Sequence, residues 1–195
     1  MATYHHAYEI DRVAYLESLE PLEHLHNEER LLQLAKRGAE TAARFDEHGF
    51  LVAIRQDQDW FDADIDELEI GPLLLVQMVP YLTPAHALPA HNVSRALAAL
   101  SNEPRAGGMH DALRACVFGE PISKFFPETP WYEAVKFERF LDHYCGWLSS
   151  DKCGKLLGLF ESEASTFQDI LPGIRQLLAP IASQNTNPLV LALER

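Results

Sequence analysis

Positive charge is scarce in this chain. Of 195 residues only 16 are Lys or Arg, against 29 Asp or Glu, and the formal net charge is −13. A nucleic acid or an anionic membrane needs a positive face, so neither is expected as a partner. Long apolar runs are missing too. Residues 73–79, broken by Gln77, and 189–193 are the most apolar stretches, far short of the roughly 20 residues that cross a bilayer. The first residues, MATYHHAYEIDRV, have neither the apolar centre of a secretory signal nor the arginines of a transit peptide. Cysteine is rare, with Cys116, Cys145 and Cys153 making an odd number that leaves at least one thiol unpaired. Reduced thiols in the cytoplasm are the expectation.

Several chemistries fail on spacing. No G-x-G-x-x-G, G-x-S-x-G or H-E-x-x-H occurs, which removes the dinucleotide fingerprint, the hydrolase elbow and the zincin helix. Gly154-Lys155 resembles the end of a phosphate loop, but Leu156 replaces the required hydroxyl residue. Asp62, Asp64 and Asp66 start like a calcium loop. Glu67 then occupies the bend that needs glycine, and Leu73 the position that needs a bidentate glutamate. The nine histidines do not group at ligand spacings, and Glu23-x-x-His26 has no second copy of the kind a di-iron bundle needs. No cofactor and no metal site is expected.

What the chain does have is ordinary globular composition, 47% hydrophobic and 23% charged, with helix-period stripes along most of its length. Residues 28–49 place Leu31, Leu34, Ala35, Gly38, Ala42 and Phe45 on one side, with Asn27 as cap and Gly49 as stop. Gly38 and Ala42 make that side small enough for another helix to approach closely. The stripes continue through Val93, Ala96, Leu97 and Leu100, through Met109, Ala112, Leu113 and Cys116, and through Ile174, Leu177, Leu178 and Ile181. Residues 129–148 read as the strongest helix, opened by Thr129-Pro130 and followed by another carrying Cys153, Leu156, Leu157 and Phe160.

The expected fold is therefore a mainly α, multi-helix globular domain. An α+β form is the alternative, with two or three short strands near the termini and at residues 50–54. Residues 3–10, which alternate loosely, would pair with the apolar runs 50–54 and 189–193 as a small sheet that ties the termini together, with a docked tail as the alternative for 189–193. A single domain spans 1–195, with an acidic lobe 1–80 and a helical lobe 90–195 separated by the proline-rich stretch 80–89.

Charge is the one unusual feature. Residues 1–69 hold 17 acids and 6 bases, while residues 70–195 hold 12 acids and 10 bases. The densest part, 57–69, has seven acids and no base. Trp60 and Phe61 sit inside it, so aromatic anchors are ringed by Asp57, Asp59, Asp62, Asp64 and Asp66. A helix N-terminus would also gather acids, and Phe61, Ile65 and Leu68 follow helical spacing. The functional expectation is a non-catalytic interaction protein, of inhibitor, immunity or adaptor kind, that offers this acidic face to a basic protein. The alternative is an enzyme whose site assembles in an inter-helical pocket from His110, Glu138, Asp142, His143 and Cys145, with a metal as an option. Cys145 and Cys153 lie on or beside apolar stripes, which favours burial over ligation. The oligomeric state is not legible.

Overall fold

The continuous apolar run 189–193 has no polar alternation, which suits a strand buried on both faces. In the computed structural model, which describes residues 4–55, 70–101, 107–126, 130–135, 145–163, 167–184 and 188–193, this run is the centre of a five-stranded antiparallel sheet. The strands are β1 (Tyr4–Ile10), β2 (Leu82–Pro89), β3 (Glu120–Pro121), β4 (Cys145–Leu148) and β5 (Leu189–Leu193), in the order β2-β1-β5-β4-β3. β1 and β5 pair directly, His5 with Leu193 through Glu9 with Leu189, so the sheet ties the two terminal segments together without residues 50–54. Prolines sit on both edges, Pro84 and Pro89 in β2 and Pro121 in β3, where a missing N–H is tolerated and further strand addition is discouraged.

Each face of the sheet carries its own core. Leu189 and Leu191 point into one cluster, while Val190 between them points into the other, because successive side chains alternate across a strand. On the Val190 face lie α1 (Arg12–Glu23), α2 (Asn27–Arg44), α3 (Gly49–Arg55), α4 (Ile70–Met78) and α7 (Pro130–Val135). On the Leu189 face lie α5 (Ala90–Ser101), α6 (Gly107–Phe118), α8 (Ser150–Ser162) and α9 (Leu171–Gln184). The described chain is thus mainly helical, with a small sheet between two helical layers. Among the described residues no helix is long and apolar enough to cross a membrane.

The capping chemistry is local. Asp11 Oδ1 accepts from Ala14 N at 3.1 Å to start α1, and Ser149 Oγ accepts from Lys152 N at 3.2 Å to start α8. The small-residue side of α2 does receive a close neighbour, which is α4 of the same chain. Gly38 and Ala42 are buried there.

Two expected elements need correction. Residues 50–54 are helix α3 rather than a strand. Phe50, Leu51 and Ile54 are buried while Val52 is exposed, a helical pattern that a strand, which would bury Phe50, Val52 and Ile54 together, cannot make. Gly49 belongs to this helix and does not close α2, which ends at Arg44. Its lack of a side chain serves contact: a Cβ there would stand 2.7 Å from Tyr8 Oη.

The long helix over 129–148 is also different. Helix α7 covers Pro130–Val135, Cys145–Leu148 is strand β4, and residues 136–144 lie outside the described residues. Trp147 and Leu148, neighbours on a supposed helical stripe, face opposite clusters. The proline-rich stretch 80–89 is a short 3-10 turn followed by edge strand β2, paired along its length with β1.

Candidate functional site

The acidic segment that drew attention in the sequence, with Asp57, Asp59, Trp60, Phe61, Asp62, Asp64 and Asp66, lies outside the described residues, as do Glu138, Asp142 and His143. Of the five pocket candidates, His110 and Cys145 remain, and the fold does not bring them together. Cys145 is 2% exposed on the Val190 face of the sheet. His110 lies on α6, which covers the other face, with its Nδ1 3.7 Å from the neighbouring Asp111 carboxylate. The other two thiols, Cys116 and Cys153, are buried with α6 and α8, across the sheet from Cys145. Burial pushes both up to about 12. Protonated and enclosed, they act as small apolar side chains. Among the described residues no three His, Cys, Asp or Glu side chains converge as a metal-binding group.

The described part of the acidic third is more informative. Asp11, Glu17, Glu20, Glu28, Glu29, Glu40, Asp46 and Glu47 are exposed on or beside α1 and α2. Three arginines of the same layer, Arg12, Arg30 and Arg37, turn toward backbone carbonyls. Arg12 donates through Nε and Nη2 to the Phe125 carbonyl at 3.3 and 3.0 Å, with its guanidinium 5.2 Å from the Phe125 ring centre. Arg30 donates to the carbonyls of Leu22, Glu23 and Leu25, which closes the end of α1. Arg37 donates to the Ser18 carbonyl at 3.0 Å. Three of the layer's cations therefore serve backbone oxygens. By contrast, the ion pairs between described side chains all join residues after position 90, including Arg95–Asp169, Lys152–Glu120, Lys155–Asp151 and Arg175–Glu161. Among the described residues the surface of α1 and α2 carries eight exposed carboxylates against the exposed Lys36 and Arg44, with Val13 at 66% and Leu32 at 50% exposed on the same two helices.

Two concavities stand out among the described residues, one in each helical layer. One, of about 190 Å³, lies between α5, α6 and the start of α9, lined mainly by Val93, Leu113, Ile170 and Ile174, with Asn92 and Asp169 as its polar members. It holds no pair of titratable groups positioned for proton transfer. The other is a groove of about 430 Å³ between α1, α2 and the turn after α4, where Ser18, Arg37, Glu40, Thr41, Arg44, Gln77 and Tyr81 supply polar groups beside Phe45 and Pro80. Sequence reasoning passed over this groove. The available signal was Gln77, the single polar residue in the apolar run 73–79, which is 8% exposed and donates through Nε2 to the Leu34 carbonyl at 3.3 Å.

The histidine-rich first strand contributes no ligand set among the described residues. His5 Nδ1 is buried without a partner, and the ring meets Phe118 edge-on at 5.7 Å. Burial, aided by the adjacent His6, lowers its pKa to about 4. Tyr8 contacts the His48 ring at 5.3 Å, and burial lowers the His48 pKa as well. Neutral, enclosed rings of this kind fill space. No protein-family model, curated protein or solved structure matches the chain.

Proposed function

We propose that this is a non-catalytic binding protein whose acidic N-terminal third docks a basic protein partner, in the manner of an inhibitor, an immunity protein or an adaptor. The observation that carries this reading is the division of labour in the first helical layer. Arg12, Arg30 and Arg37 each donate to backbone carbonyls, and carboxylates of α1 and α2 face solvent. Such a surface raises the encounter rate with a cationic partner, and exposed apolar side chains such as Val13 and Leu32 then supply contact area. The segment 57–69, with Trp60 and Phe61, extends the same charge along the chain. The buried reduced thiols suit a cytoplasmic location. One sheet shared by both cores supports treating 1–195 as a single domain.

The test is a partner isolated on the intact protein and then titrated by calorimetry over a range of salt. Affinity should fall steeply as salt rises. The combined changes Glu17→Gln, Glu20→Gln, Glu28→Gln and Glu29→Gln, and separately Asp62→Asn, Asp64→Asn and Asp66→Asn, should each weaken binding. Salt-independent affinity, or full affinity in both variants, removes the proposal.

A further inference from the structure

The groove between α1, α2 and the turn after α4 has a charge opposite to its surroundings. Arg37, Glu40, Thr41 and Arg44 follow one another at i, i+3, i+4 and i+7, so they form a single stripe of α2, and Phe45 caps the helix at its end. Two guanidiniums face one carboxylate there, in a chain whose net charge is −13. Neither Arg37 nor Arg44 is ion-paired among the described residues. Arg37 uses Nη1 on the Ser18 carbonyl, which fixes the side chain along the groove wall. Arg44 lies with its guanidinium 5.1 Å from the Phe45 ring centre, so a flat aromatic surface holds it in place. Both cations are thus positioned in advance, which lowers the entropy cost of meeting an anion.

The remaining lining has the character of a binding site. Gln77, the single polar side chain of the run 73–79, is held on the groove floor by its bond to the Leu34 carbonyl. A buried polar side chain is costly unless its groups are used. Tyr81 is held from behind by Tyr15, ring centres 5.7 Å apart, and its backbone carbonyl accepts from Asp11 N at 3.1 Å. Phe45 and Tyr81 supply the apolar surface, while Thr41 and Ser18 supply neutral polar groups.

We infer that this groove binds a small organic anion, with its carboxylate or phosphate held by Arg37 and Arg44 and its planar apolar part against Phe45 and Tyr81. Guanidinium suits either anion, because its planar fork donates two parallel hydrogen bonds. A volume of about 430 Å³ corresponds to roughly fourteen water-sized groups, enough for a ring bearing an anionic substituent. The inference is independent of the docking proposal. It concerns the side of α2 that lines the groove, whereas docking uses the surface that carries Glu17, Glu20, Glu28 and Glu29.

Calorimetric titration of the intact protein with phenyl phosphate, with benzoate and with phenol tests it, alongside Arg44→Gln and Arg37→Gln. Phenyl phosphate or benzoate should bind saturably, and whichever binds more tightly identifies the anion class. Phenol, which has the ring without the charge, should not saturate. Arg44 is solvent-exposed and makes no side-chain hydrogen bond to backbone among the described residues, so Arg44→Gln should keep the thermal midpoint and weaken the anion by about tenfold. Amide shifts in NMR should map to α2 and to residues 79–81. No saturation with either anion up to about 10 mM, where binding would be weaker than about −3 kcal/mol, overturns the inference. So does equal affinity in Arg44→Gln, or equal affinity for phenol.

Discussion

The Arg30 guanidinium lies 5.4 Å from the centre of the Trp131 ring, and the Trp131 indole N–H donates to Glu23 Oε1 at 3.2 Å. Arg30 also donates to three carbonyls at the end of α1, the shortest to Glu23 at 2.7 Å. A single side chain in the first turn of α2 therefore closes α1 and seats α7, which arrives about a hundred residues later in the sequence.

Arg30→Ala should accordingly destabilise the protein by about 2–3 kcal/mol, since it orphans half-buried carbonyls and removes a ring contact. Arg30→Lys keeps the charge but cannot span three carbonyls with a planar fork, so it should recover less than half of the loss. Urea unfolding of both variants measures this. Equal stability of Arg30→Lys and the parent would show that charge alone matters at this helix end.

Glycines offer an opposed pair. A Cβ at Gly146 would collide with the Phe118 carbonyl, and backbone on both sides leaves it no route of escape. Gly158, in α8, has nothing within 4 Å of its added Cβ. Gly146→Ala should therefore cost about 3 kcal/mol or more, or prevent folding. Gly158→Ala should stabilise by about 0.5–1 kcal/mol, because alanine has less chain entropy to lose in a helix. Thermal unfolding midpoints moving in opposite directions are the expected result.

These residues show which parts of the fold a sequence can reveal. Strands β1 and β5 were legible because period-2 alternation and an unbroken apolar run each carry a geometric meaning. Residues 50–54, FLVAI, look just as strand-like as 189–193, LVLAL, and length cannot separate them. What separates them is tertiary: Tyr8 presses on Gly49, and Phe50, Leu51 and Ile54 share one side of a helical turn. Strand β4 was hidden for a similar reason, since Gly146 is there to let Phe118 approach. The surface charge was legible as a count. Its distribution was not, because the carbonyl that holds Arg12 lies 113 residues away. The groove beside α2 was visible only as one glutamine out of place in an apolar run.

The three thiols should resist reagents in the folded state. All are buried, and burial pushes Cys116 and Cys153 up to about 12, so the reactive thiolate is almost absent at neutral pH. Treatment of native protein with an aromatic disulfide reagent should release little colour over minutes, and denaturant should then expose three equivalents. Rapid labelling of even one thiol without denaturant would mean that a core opens far more readily than its packing implies.

Acid should weaken the fold through His5. Its pKa is lowered from 6.5 to about 4, first by burial and then by the charge on His6. In the unfolded chain the same ring takes up a proton near pH 6.5. Between these values the unfolded state binds more protons than the folded state, so stability is complete above about pH 6.5 and falls as pH drops toward 4. His48, whose pKa burial also lowers, adds to the loss in the same direction. Replacing His5 by Phe keeps a ring against Phe118, removes an orphaned Nδ1 and leaves nothing to protonate. Denaturant unfolding at several pH values should then give a curve for His5→Phe that is flatter than the parent's between pH 6.5 and 4. Parallel curves would show that His5 already carries its proton within the fold, against the burial that its position on β1 imposes.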